Sequence, residues 1–362
     1  VPWGELQLPA LPDVTFILGT DDSGSGPVFR LVARGPRRRK AAIYGVFALV
    51  REELVNNSLY RGKAVDGEMN FLNLDAVDAS KVIYSTTAYE ALRANIWTPI
   101  VHADTLRELG LPSKRAALLH GDWGTGKTLA AYLTAQIAVR HGWTFLRARP
   151  GVDDLNSVMA IAKLYAPAVV FFEDIDVISD PDRLEADEAS KLLDSFDGMT
   201  AKGQEVLAVM TTNHIERIHK GMVRPGRLDA VIELGALDQP RTLDLLLTTI
   251  PSHLVDADDV MANEADVAEA HEGYTPAFVV ESAGRAMRYA VARSENGDTP
   301  KITGQDLVHS GNGLRNQLEL MQGARSDLAD TNIDNLLTTR VKDVTTMALE
   351  PIYERFDLEA PR

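Results

Sequence analysis

Residues 116–128 read AALLHGDWGTGKT. A short apolar run gives way to a loop with glycines at 121, 124 and 126. Lys127 and Thr128 then open TLAAYLTAQIAVRHG (128–142), a helical pattern with Gly142 at its end. The order is strand, glycine-rich loop, helix, at the spacing G-x-x-x-x-G-K-T. The glycines let the backbone wrap close to a polyphosphate, so that successive N–H groups and the helix N-terminus point at the anion. Lys127 is then placed to reach the β and γ phosphates, and the Thr128 hydroxyl to take a position on Mg²⁺. Gly121, Asp122, Trp123, Gly124, Thr125, Gly126, Lys127 and Thr128 are therefore candidate nucleotide-binding residues, with ATP and Mg²⁺ as the implied cofactors. Trp123 reads as a packing residue in preference to a rim contact.

Such a loop needs an acid at the end of a neighbouring strand to complete the magnesium site. VVFFEDIDVI (169–178) supplies it: an apolar run stops at two adjacent carboxylates, Glu173 and Asp174. The run is that of a fully buried parallel strand, and its C-terminal edge is where ligands bind in open α/β sheets. Acids ending a buried strand are costly without a cation or donors nearby.

Around these two stretches, TFLRAR and VLAVMTTN read as further strands with helical segments between them, which predicts a parallel sheet covered on both faces. The segment 87–110 reads as helical, interrupted at Pro99, and from residue 240 onward only helical patterns remain. Residues 1–57 are rich in β-formers, with VTFILG (14–19) and VFRLVA (28–33) as strands and AAIYGVFALV (41–50) as a strand or a buried helix start. RGPRRRK (34–40) reads as a solvated hairpin tip, the alternative being contact with nucleic acid or an acidic partner. NNSLYRGKAVDGEMN (56–70) reads as a polar connection. Beyond residue 324, Ile333, Leu336, Leu337, Val341, Val344 and Met347 recur at near-helical spacing, which predicts an amphipathic extension.

The 362 residues contain no cysteine, which removes disulfides, thiolate metal sites and thiol nucleophiles and agrees with a reducing, cytoplasmic setting. No apolar stretch has the length of a membrane span, so no membrane partner is expected. A net charge of −15 repels nucleic acid and acidic membranes, which ranks a nucleic-acid partner below a protein one.

With the loop and the paired acids in hand, the chain resembles the AAA branch of the AAA+ ATPases over about residues 82–310. After EDID come LLDSFDGM (192–199) and TTNHIERIHKGMVRPGRLD (211–229), the latter similar to the family's second region of homology. The resemblance implies a homo-oligomeric ring, usually a hexamer, with ATP bound at subunit interfaces. Asn213 matches the sensor that orients the attacking water. Arg224 and Arg227 match the arginine fingers that reach the γ-phosphate of a neighbouring subunit. Gly273, Pro276 and Ala277, in GYTPA, resemble the lid turn that packs on adenine.

The pattern departs from the family in several places. The usual order is Asp then Glu, whereas here Glu173 takes the metal position and Asp174 the water-activating one. Adjacent strand residues point to opposite faces, so the two exchange roles only with local rearrangement. The Glu-Asp order and the wording TTNHIER resemble the branch of the mitochondrial Rieske-protein translocase. His219, Lys220 and Gly221 replace the usual Asp-Pro-Ala before the fingers. RARPGVDDLNSVM (147–159) lacks the aromatic–aliphatic–glycine pore loop of threading relatives.

The expected architecture is an α/β P-loop nucleotide domain (81–238) with a helical lid (239–323), a small β-rich N-terminal partner domain (1–80) and a helical extension (324–362). The expected function is ATP hydrolysis coupled to remodelling or movement of a protein client. The alternatives are a nucleic-acid motor or loader and an ATP-assembled scaffold or switch with little turnover.

Overall fold

The computed structural model describes residues 4–22, 27–111, 115–175, 205–218, 228–294 and 299–330. The chain divides into two compact units, Val1–Thr249 with Thr275–Val280, and Ile250–Tyr274 with Glu281–Arg362. Arg224, Arg227, the residues 219–221 and 192–199, and the apolar series from Ile333 to Met347 lie outside the described residues.

At the start of the first unit, β1 (Gly4–Leu8), β2 (Leu11–Asp22) and β3 (Pro27–Arg34) form an antiparallel sheet in that order, as VTFILG and VFRLVA predict. AAIYGVFALV is neither strand nor buried. It is the body of α1 (Lys40–Asn56), a helix with no fully buried residue. Its apolar positions Ile43, Val46 and Phe47 follow helical rather than alternating spacing, and they lean on Leu11, Val14 and Phe16. RGPRRRK is also not a hairpin tip. It leads from β3 through a 3₁₀ turn, Arg37–Arg39, into α1, and Asp13 of β2 takes Arg38 at 2.7 Å and Arg39 at 3.0 Å. Two guanidiniums sharing one carboxylate fix the point at which the helix begins.

The large sheet consists of β4 (Ala64–Asp66), β5 (Arg115–His120), β6 (Thr144–Ala148), β7 (Ala168–Phe172), β8 (Val206–Thr212) and β9 (Ala230–Glu233). All its ladders are parallel, and the order is β4-β6-β7-β8-β5-β9. Strand β4 comes from the stretch expected to be a polar connection. It joins the large sheet from before residue 81 by pairing with β6. Between β4 and β5 the expected helix is divided into α2 (Thr86–Leu92), α3 (Thr98–Val101) and α4 (Ala103–Glu108). A π turn, Arg93–Trp97, precedes Pro99, whose missing N–H and bulky ring a regular turn cannot accommodate.

Every position of β7 and β8 is buried, which is why both read as nearly unbroken apolar runs. Side chains alternate between two cores. Val170, Phe172, Ala208 and Met210 pack with Val158, Met159 and Ala162 of α6 (Leu155–Leu164). Val169, Phe171, Leu207 and Val209 pack with Ala130, Ala131, Ala135 and Ala138. Those four alanines lie on α5 (Lys127–Arg140), and their small side chains let the helix lie close to the sheet. It ends as its sequence predicts, with Gly142 at φ 76°, the Trp143 N–H on the Ala138 carbonyl and the Gly142 N–H on Val139. Helix α7 (Gln239–Thr249), expected in the lid, belongs to the first unit.

In the second unit, α8 (Ala257–Ala262), α9 (Glu264–Ala270), the body of α10 (Pro276–Arg293) and α11 (Gly304–Asp330) enclose a polar thread. The buried His271 ring donates from Nδ1 to the Val267 carbonyl at 2.7 Å and meets the Ser282 hydroxyl through Nε2 at 2.7 Å; Ser282 in turn meets Ser310 at 2.7 Å. Burial pushes the ring below its ordinary 6.5, helped by Arg315 and opposed by the Val267 bond. A histidine held neutral in the fold charges more readily when unfolded, so its contribution is complete above about pH 6.5 and declines as pH falls through that value. Denaturant unfolding between pH 7.5 and 5.5 should therefore show stability falling with acid by up to about 1.4 kcal/mol per pH unit from this group. His271→Gln should flatten that slope, and an unchanged slope would contradict the assignment.

Candidate nucleotide-binding site

Strand order creates the site. Strand β8 lies between β7 and β5, so the residues following these three strands emerge side by side at the carboxyl edge of the sheet. After β5 comes the loop 121–126, after β7 come Glu173 and Asp174, and after β8 comes Asn213. This is the position at which open parallel sheets bind ligands.

The loop is fixed from several directions. Gly121 passes so close to β9 that a Cβ there would stand 2.0 Å from the Leu234 carbonyl oxygen. The same Leu234 donates its N–H to His120 at 2.7 Å. Gly121→Ala must therefore displace backbone rather than a side chain, and a loss of about 1–3 kcal/mol is expected in denaturant unfolding. Unchanged stability would show the contact to be looser than described. The buried Thr125 hydroxyl donates to the Asp122 carbonyl at 2.8 Å, and the Tyr84 hydroxyl donates to the Gly126 carbonyl at 2.9 Å. Gly126 has φ 93° and leads directly into α5. Lys127 is buried, and its ammonium donates to the carbonyls of Gly121 and Asp122, both at 2.7 Å. The cation is thus held inside the curve of the loop.

Trp123 differs from its expected packing role. It is 57% exposed, and its ring meets the edge of His214 with centroids 5.8 Å apart. The loop leaves this side chain largely in solvent, where a core packing role does not hold.

The two acids occupy different environments. Glu173 still follows the strand, with its N–H on the Ala148 carbonyl at 2.9 Å, and its carboxylate lies 3.8 Å from the Arg147 guanidinium. Burial raises the Glu173 pKa; Arg147 and Arg149 pull it back, Asp174 adds to the rise, and a hydrogen bond from Thr128 lowers it. Asp174 has φ 55°, left-handed, and its N–H donates to the Thr211 hydroxyl at 2.9 Å. Aspartate tolerates this region better than most residues. The left-handed residue breaks the strand's alternation between the two acids. Asp174 turns to solvent, where the Asn213 amide donates to its Oδ1 at 3.0 Å.

The residues fit a magnesium–nucleotide complex. Glu173 Oε1 is buried without a hydrogen-bond partner, and the Thr128 hydroxyl adjoins the same carboxylate. Among the described residues no three His, Cys, Asp or Glu side chains converge on a metal position. Magnesium in phosphate sites is commonly held by one or two protein groups, with the phosphates and water completing its shell. Thr128 and Glu173 are the residues that would hold it, and the ion would supply charge neutralisation on the phosphates. Of the lid-turn candidates, Pro276 opens α10, and the Ala277 N–H donates to the Gly124 carbonyl at 3.1 Å. Gly273 belongs to the second unit, where its φ of 78° makes the turn before α10.

Arg147, Tyr84 and Thr211 were not singled out from sequence. The arginine inside TFLRAR was the one available signal, a charge within an otherwise buried strand. The tyrosine and threonine carry none.

Residues 117–236 match the family described as "ATPase family associated with various cellular activities (AAA)". This segment is an AAA ATPase domain. The chain is 29% identical over 217 residues to the proteasome-activating nucleotidase of Methanocaldococcus jannaschii, covering 54% of this chain and 48% of that relative. It is 28% identical over 232 residues to the 26S proteasome regulatory subunit 6B homolog of Saccharomyces cerevisiae, covering 57% and 53%. It is 31% identical over 168 residues to the cell division cycle protein 48 homolog of Archaeoglobus fulgidus, covering 43% and 23%. The chain spans about half or less of the length of these curated relatives. Among the described residues no helix is long and apolar enough to cross a membrane.

Proposed function

We propose that this AAA ATPase domain hydrolyses Mg-ATP at the interfaces of a homo-oligomeric ring, usually six-membered in such proteins, and uses the resulting subunit movement to remodel or displace a protein client. The observation that carries the reading is the side-by-side emergence of the Lys127–Thr128 loop, the Glu173–Asp174 pair and Asn213 from three adjacent strands. In this reading Lys127 holds phosphate, Thr128 and Glu173 hold Mg²⁺, Asp174 accepts a proton from the attacking water and Asn213 orients that water. Pro276 and Ala277 pack on the base, and Arg224 and Arg227 act on the neighbouring subunit's nucleotide. A fixed positive charge supplied in trans is worth roughly 10³–10⁵ in rate in related phosphoryl transfer. The relatives' names, a proteasome activator among them, support a protein client over a nucleic acid, as does the net charge of −15. The loop after β6 carries the exposed Val152 and no aromatic residue, which favours remodelling over threading by an aromatic grip.

Size-exclusion chromatography with and without Mg-ATP tests the ring. A ring-sized species stabilised by nucleotide is expected; a monomer under both conditions would leave the fingers without a partner. A second reading is an ATP-assembled switch with little turnover. It is favoured by the Asn213 bond to Asp174, which engages the carboxylate needed as base.

A further inference from the structure

Thr275 is the residue before Pro276, the first residue of α10. Threonine at such a position normally caps the helix by accepting a backbone N–H from its first turn. Here it does not: Oγ1 of Thr275 is buried and has no hydrogen-bond partner. Pro276 has no N–H to offer, and the Ala277 N–H is given to the Gly124 carbonyl at 3.1 Å. That bond binds the helix start to the phosphate loop instead of to its own cap. The hydroxyl lies at this junction, for a Cβ built on Gly124 would stand 3.6 Å from Thr275 Oγ1. Both residues belong to the first compact unit. A hydroxyl withheld from its helix and kept from water beside a polyphosphate loop is a donor waiting for an acceptor, since buried polar groups are otherwise paired.

We propose that Thr275 is a nucleotide-binding residue whose hydroxyl donates to an oxygen of the sugar–phosphate part of the bound nucleotide. This rests on the reading of the loop as a nucleotide site. It adds a side-chain contact to a turn whose expected role was backbone packing on the base. The neighbouring Gly124 belongs to the phosphate-cradling loop, so the acceptor is an oxygen close to the phosphates, and the contact is blind to which purine is attached.

The test is equilibrium binding of ADP and of GDP, by calorimetry, to the wild-type chain, Thr275→Ser and Thr275→Val. Valine keeps the shape and removes the hydroxyl; serine keeps the hydroxyl and removes the methyl. Thr275→Val should bind both nucleotides about tenfold more weakly, the loss of one charge-assisted hydrogen bond. Thr275→Ser should stay within about twofold of wild type, and the ratio of ADP to GDP affinity should not move. Wild-type affinity in Thr275→Val would overturn the proposal. Equal losses in both variants would also do so, because the methyl would then be what matters. A loss confined to ADP would place the contact on the base and overturn the assignment as stated. Failure of the wild type to bind ADP at all would sink the nucleotide reading itself, and this inference with it.

Discussion

Asp174→Asn should lower the steady-state ATP turnover of the assembled protein by about 10²–10⁴ while leaving nucleotide bound. The expectation follows from what each acid touches. Asp174 faces solvent, and its Oδ1 accepts from the Asn213 amide at 3.0 Å, so a water is to be taken by the other carboxylate oxygen. Glu173 is turned to the Thr128 hydroxyl and the Arg147 guanidinium, an environment that suits a metal-side carboxylate. The substitution keeps the amide bond partner and the left-handed backbone, since asparagine tolerates φ of 55° as aspartate does. It removes only the proton acceptor. Glu173→Gln should instead weaken the dependence of nucleotide binding on Mg²⁺. Fluorescent-nucleotide titrations beside phosphate release separate the two effects. A Glu173→Gln protein that binds Mg-ATP normally but does not turn over would exchange the assigned roles.

Lys127→Met should weaken nucleotide binding by about 10²-fold, through two losses that act together. The phosphates lose a charge-assisted donor that sits where the loop curves around them, worth more than a neutral hydrogen bond. The loop loses the ammonium that joins the Gly121 and Asp122 carbonyls at 2.7 Å each. A titration in which the variant stays within threefold of wild type would show that the loop's backbone N–H groups alone hold the nucleotide. Thermal melting without nucleotide distinguishes the two contributions, because only the second changes the stability of the unliganded fold.

The parts of the site legible in sequence were those in which one short segment carries both the chemistry and its setting. GDWGTGKT shows its strand, its turn and its helix in one continuous stretch, and VVFFED shows a buried strand and its acids together. What escaped depends on residues brought from elsewhere. Arg147 reaches Glu173 only because β6 pairs with β7, and Tyr84 reaches Gly126 from a segment with no motif. Thr275 is an ordinary cap in sequence, and it becomes informative only when its hydroxyl is found buried and unpaired. In the fold, β4 is three residues long within a polar stretch and is held by its neighbour rather than by its own pattern. α1 was ambiguous because a one-sided helix on a small sheet carries a weak apolar stripe. The swapped acid order was visible at once, but the backbone turn at Asp174 was not. A left-handed Asp174 anchored by Thr211 is a tertiary consequence of β8 lying beside β7.

In the proposed function this set of residues forms an ATP-hydrolysing site completed by a second subunit. Phosphate release per chain, followed in Mg-ATP across a hundredfold range of protein concentration, tests it most directly. Turnover should require Mg²⁺, and the rate per chain should rise with concentration until the ring is assembled. A protein that binds Mg-ATP throughout that range and releases no phosphate would contradict it.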